Sequence, residues 1–181
     1  MNTLKSRKIA GLVASVAVFL LCAIGLSSAQ IVHEETKFGA SGPDPSVTTS
    51  ASLTGVNGNL YLAAITTKPK LGVTSVSGLG LNWKPVKAQC SGRNSTNVQV
   101  WMAQGTPTGN GTVTATLADS AKNAILVVSR YSGVHASFPL GSVISGNTTG
   151  SNGACAGGVD NISYLFNLPR VRTARMCIAR W

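Results

Sequence analysis

The sequence predicts an all-β fold, an antiparallel β-sandwich or jelly roll, and three observations carry that prediction. First, the stretch from Thr96 to Val134 holds three consecutive segments whose side chains alternate or stay apolar over strand lengths. Second, the connections between them are rich in Gly, Pro and Asn, as in Gly105-Thr106-Pro107-Thr108-Gly109-Asn110-Gly111. Third, no segment beyond the N-terminal apolar run keeps the 3.6-residue apolar period of an amphipathic helix. Many short strands separated by such turns build sandwiches rather than α/β folds.

Taken in order, Met1 to Ala29 has the three parts of a secretory signal. A basic head (Lys5, Arg7, Lys8) precedes an uncharged run from Ile9 to Leu26, and Ser27-Ser28-Ala29 supplies small residues before a cut at Gln30. The alternative is an uncleaved anchoring helix, since a run of that length just spans a bilayer. Residues 30–45 read as a polar lead-in in which Gly39, Gly42, Pro43 and Pro45 interrupt any pattern. The sandwich is expected over 46–168. Its strands are Val47–Leu53, Leu60–Thr67, Val73–Val76 and Leu81–Gln89, the last placed at an edge or bulge by Pro85. Next come the central three, Asn97–Ala103, Thr112–Leu117 and Ala124–Val128, the third apolar on both faces as if covered from two sides. Val143-Ile144 and Tyr164–Leu168 are further strand candidates, separated by a Gly/Asn/Thr-rich loop. Residues 169–181 form an atypical Arg-rich tail.

Charge excludes one partner class. The formal net charge is +10. Three of the basic residues lie in the N-terminal head and four (Arg170, Arg172, Arg175, Arg180) in the tail, which leaves +3 for the body of the chain. No stripe of Lys and Arg interleaved with aromatics tracks a phosphate backbone there, so no nucleic-acid partner is expected. Membrane contact is expected only through the N-terminal segment if it stays uncleaved, apart from a weak propensity of the Arg-rich tail for anionic surfaces.

Few residues offer chemistry. Cys90 and Cys155 lie in Gly/Ser/Asn-rich loops beside strand ends and are expected to pair in an oxidising compartment. Closing that loop contributes about 4 kcal/mol in the chain-entropy model. No CxxC or HxxxH spacing points to zinc, and no cofactor or metal is expected. The histidines are His33 and His135, and the acids Glu34, Glu35, Asp44, Asp119 and Asp160 include no pair opposed on a strand face. A glycosidase-type carboxylate pair therefore has little to draw on. Trp83, Tyr61 and Tyr131 are expected between the sheets, whereas Trp101, opposite the Val98/Val100/Met102 face, is the candidate for outward stacking against a sugar ring. N-glycosylation sequons begin at Asn94, Asn110, Asn147 and Asn161.

Several stretches together carry a resemblance. They include Tyr61-Leu62-Ala63-Ala64-Ile65, Leu81-Asn82-Trp83, Ala88-Gln89-Cys90-Ser91-Gly92-Arg93, Val100-Trp101-Met102-Ala103-Gln104-Gly105, Val128-Ser129-Arg130-Tyr131-Ser132-Gly133-Val134 and Asn152-Gly153-Ala154-Cys155-Ala156-Gly157-Gly158-Val159-Asp160. Over roughly 45–168 the chain resembles an uncharacterised jelly-roll or immunoglobulin-like β-sandwich domain of bacterial secreted and surface proteins. The resemblance implies an extracellular module without assigned catalytic residues. Similar domains continue past the Tyr164 strand, whereas this chain turns to Arg170-Val171-Arg172, so its last strands are expected to be missing. An interrupted reading frame is the favoured cause, and a partner's strand added at the open sheet edge is the alternative.

The expected function is that of a noncatalytic module, secreted or at the cell surface, with an adhesion, glycan-contact or structural role. Its partners would be a glycan or another extracellular protein. The alternatives are a small secreted hydrolase using loop residues such as His135 and Asp160, and a strand-complemented fibre subunit.

Overall fold

Alternation at period two becomes two antiparallel sheets facing one another. The computed structural model describes residues 30–156. Its strands are β1 (Val32–Ser41), β2 (Asp44–Thr48), β3 (Leu60–Lys68), β4 (Val73–Gly78), β5 (Lys84–Cys90), β6 (Asn97–Gln104), β7 (Val113–Ala121), β8 (Asn123–Ser132), β9 (Gly146–Asn147) and β10 (Gly150–Ser151). The larger sheet runs β1-β8-β3-β6-β5 and the smaller β2-β7-β4, while β9 and β10 form a small ladder of their own. The fold is thus the all-β antiparallel sandwich that the alternation predicts. The pairs β1–β8, β2–β7 and β3–β6 nest inside one another. Nesting of this kind is part of the winding of a jelly roll, although β4 and β5, which would be its innermost pair, lie in different sheets here. In an immunoglobulin order the first strand would lie beside the second, whereas here β1 pairs with β8.

The segment expected as an irregular lead-in supplies β1 and the start of β2, so the sandwich begins at Val32 rather than at residue 46. The reason it escapes a reading by hydrophobicity is physical. In β1 only Gly39 is buried, and its neighbours are mostly exposed. The strand is held by nine residues paired with β8 and not by apolar side chains. Gly39 is required there, because a Cβ would collide with the Thr48 carbonyl of β2. Gly42 and Pro43 make the corner between the sheets, and Pro45 falls in a bulge of β2, an edge strand, where no ladder hydrogen bond is lost. Pro85 behaves the same way: β5 is an edge strand and its register shifts between Pro85 and Lys87. Val143-Ile144 is not a strand; the short ladder forms just after it, at Gly146–Asn147 and Gly150–Ser151. The signal (1–29), the Tyr164 strand, Asp160, Asn161, the Arg-rich tail and any missing strands after it lie outside the described residues.

Between the sheets lies one core, with Tyr61, Ile65 and Leu126 from the larger sheet meeting Val47, Val113 and Leu117 from the smaller. Each such side chain contributes about 1.5–3 kcal/mol by leaving water. Polar atoms inside are paired. The Tyr61 hydroxyl donates to the Thr54 carbonyl at 2.8 Å and accepts from the Val56 amide at 2.8 Å, fixing the β2–β3 connection. The Trp83 indole N–H donates to the Gly78 carbonyl at 3.2 Å. Among the described residues no buried side-chain N or O atom lacks a partner.

Candidate functional site

A concavity sits where β5, the connection after it and the 139–156 segment meet. β5 ends at Cys90, and the turn that follows is closed by Ser91, whose hydroxyl oxygen accepts from the Ser95 and Thr96 amides at 3.1 and 3.2 Å. Cys90 and Cys155 form a disulfide across 65 residues of sequence, with their Cα atoms 5.8 Å apart. The pairing expected from the loop positions is therefore present, and it is the kind of bond an oxidising, extracellular compartment sustains. Asn147 completes the brace. Only 6% exposed, its side-chain amide donates to the carbonyls of Cys90, Gly153 and Ala154 at 3.1, 3.0 and 3.1 Å. Its carbonyl oxygen accepts from the Thr149 amide at 2.9 Å. One buried side chain thus ties the small ladder, the disulfide and β5 into a single unit. The sequon at Asn147 is consequently hidden, whereas Asn94 and Asn110 are exposed.

Two cavities open against this unit. A polar cleft of about 470 Å³ has Lys70, Lys87, Gln89, Asn97, Asn152 and Cys155 among its walls. Gln89 and Asn97 are held in place: Gln89 donates to the Gly153 carbonyl at 3.0 Å and accepts from the Ser145 hydroxyl at 2.8 Å, and Asn97 donates to the Leu71 carbonyl at 2.9 Å. Beside it lies an apolar groove of about 280 Å³ between the outer surface of the larger sheet and the 140–145 segment. Leu62, Val98 and Val100 form its floor, and Leu140, Val143 and Ile144 its wall. Lys87, Ala88, Gln89 and Ser145 line both. No carboxylate lines either one, and two lysines do. The combined surface is positive at one end and aliphatic at the other.

Trp101 is not part of it. The sequence placed Trp101 outward and Val98, Val100 and Met102 inward, and β6 has the opposite facing. Trp101 is 8% exposed within the core, with Ala103 on the same side, while Val98 is 43% exposed. The alternation is as expected and the side is reversed, because the inward face holds Asn97 and Gln99 beside Trp101 and Ala103 while the outward one holds Val98, Val100 and Met102. Its indole has no free face for a sugar ring. Likewise β8 is not covered from two sides: Leu126 is fully buried but Ile125 is 50% exposed.

The histidines are taken up locally. His135 Nδ1 accepts from the Ser137 and Phe138 amides at 3.1 Å each, shaping the bend that follows β8. His33 Nε2 lies 2.8 Å from the Thr36 hydroxyl, which lies 2.7 Å from that of Ser129, an exposed chain across β1 and β8 in which no carboxylate takes part. Glu35 serves the fold. It accepts from the Thr54 amide at 2.7 Å and from Arg130 Nε at 2.9 Å, with both side chains largely buried. Burial pushes the Glu35 carboxyl upward, but the Thr54 and Arg130 hydrogen bonds outweigh it and hold the group below the usual carboxylate value. Among the described residues no three His, Cys, Asp or Glu side chains gather as metal ligands.

Sequence reasoning found the disulfide that braces the site and missed Lys70, Lys87 and the groove. A signal was there: the doubly apolar segments Ala124–Val128 and Val98–Met102 leave one aliphatic face without a place in the core. No protein-family model, curated protein or solved structure matches the chain.

Proposed function

We propose that this chain is a secreted, noncatalytic β-sandwich module that contacts an acidic glycan through the cleft beside the Cys90–Cys155 disulfide, as a domain of extracellular adhesion or surface attachment. The observation that carries the reading is the cleft itself, where Lys70 and Lys87 face a wall of fixed amides with no carboxylate among the lining residues. Fixed amides hydrogen-bond sugar hydroxyls without having to be ordered on binding, and lysines attract carboxylate or sulfate groups. The resemblance of the sequence to an extracellular β-sandwich domain without assigned catalytic residues supports the same reading. Binding of a glycan array by the purified chain, compared with the Lys70→Glu/Lys87→Glu variant, tests it. Acidic oligosaccharides should be retained by the parent and lost by the variant, more so at low ionic strength. Equal retention of neutral and acidic glycans, or binding indifferent to both lysines, would remove the cleft from the account.

A further inference from the structure

A glycan explains the polar cleft but leaves the groove beside it unused. Residues directly opposed on antiparallel strands point to the same side of a sheet. Across the larger sheet, Phe38, Val127, Ala64, Val100 and Lys87 form one such row. Ala40, Ile125, Thr66, Val98 and Gln89 form the next. Both rows are mainly aliphatic until β5, the edge strand, where a cation and an amide end them. The 140–145 segment then turns this flat surface into a channel by setting Leu140, Val143 and Ile144 against it. The channel is about 280 Å³, below the roughly 300–1,000 Å³ of sites for drug-sized molecules. A floor and wall made of aliphatic side chains take a hydrocarbon group rather than a hydroxyl-rich one. Its polar end opens at Lys87, which also lines the cleft.

We propose that groove and cleft together bind a single-chain anionic amphiphile, with an acyl or alkyl chain along the groove and its acidic head group at Lys87 and Lys70. The proposal rests on the glycan reading and deepens it by committing to one ligand, an acidic saccharide that carries a single acyl chain. A chain in the groove covers Val98 and Val143, which are 43% and 45% exposed without it. Each methylene withdrawn from water strengthens binding about fourfold.

Calorimetric titration of the full chain with octyl phosphate, decyl phosphate, decyl maltoside and inorganic phosphate, all below micellar concentrations, tests this. Decyl phosphate is expected to bind about sixteenfold more tightly than octyl phosphate, and at least tenfold more tightly than decyl maltoside or inorganic phosphate. Val98→Asn and Val143→Asn, polar but uncharged and both at exposed positions, should each weaken decyl phosphate at least tenfold while leaving acidic oligosaccharides bound. Lys87→Gln should weaken both ligand types. Binding of decyl maltoside as tight as decyl phosphate, or no dependence on chain length, overturns the proposal. So does the absence of binding by every chain-bearing probe, as when a second copy of the chain or its residues 157–181 fill the groove. Retained acidic-glycan binding without any chain effect overturns this proposal alone. Chain binding without glycan binding overturns the glycan reading alone.

Discussion

The two faces of the larger sheet come from the same five strands and differ in what covers them. On the inner face Tyr61, Ile65, Trp101 and Leu126 are enclosed by the smaller sheet. On the outer face Phe38, Val98 and Ile125 are 66%, 43% and 50% exposed, although their chemistry is the same. Hydrophobic side chains on the inner face stabilise the fold. Those on the outer face cannot do so to the same extent, since they keep much of their contact with water.

Adjacent residues of β8 give the strongest way to break this comparison. Leu126→Ala, at a fully buried position, is expected to cost about 2–5 kcal/mol of unfolding free energy in a urea titration. Removing the brace comes next: Cys90→Ala with Cys155→Ala should cost about 4 kcal/mol, and reduction of the parent with dithiothreitol should reproduce the loss in a thermal melt. Glu35→Gln should cost about 2 kcal/mol near neutral pH. Because the folded Glu35 carboxyl titrates below its unfolded value, its contribution is complete above the ordinary carboxylate pKa and disappears as pH falls through the lower folded one. The parent and Glu35→Gln stability curves should therefore converge in acid, and parallel curves would refute the assignment. The smallest effect belongs to Ile125→Ala, on the outer face, which should cost less than about 1 kcal/mol. Were it to match Leu126→Ala, the outer face would be a second core and the comparison would fail.

The same contrast explains how much could be read from the chain alone. Strand positions from Leu60 to Val134 were legible because β-branched and apolar residues alternate there. Which side of β6 faces inward was not, because Val98, Val100 and Met102 are as apolar as Trp101 and Ala103, so periodicity gives the axis and not its sign. β1 was illegible for the opposite reason. It contributes Gly39 to the interior and otherwise pairs by backbone hydrogen bonds, which no hydrophobic pattern records. The Cys90–Cys155 pair was legible from loop context and cysteine count. The cleft and groove were not: Lys70, Lys87, Val98 and Val143 lie up to 73 positions apart in the chain and meet only through the register of β5 on β6 and the return of the 140–145 segment.

Asn147 has a practical consequence for anyone making this protein. Its amide is the knot of the disulfide-braced loop, yet Asn147-Thr148-Thr149 is also an acceptor sequence that eukaryotic secretory machinery modifies on the emerging chain, before the knot can tie. An oligosaccharide placed there would leave the carbonyls of Cys90, Gly153 and Ala154 without their donor and prop the loop away from β5. Material from yeast or insect culture should therefore carry a misassembled cleft, and expression in the bacterial periplasm, which forms disulfides and lacks that modification, is the route to a molecule fit for ligand studies.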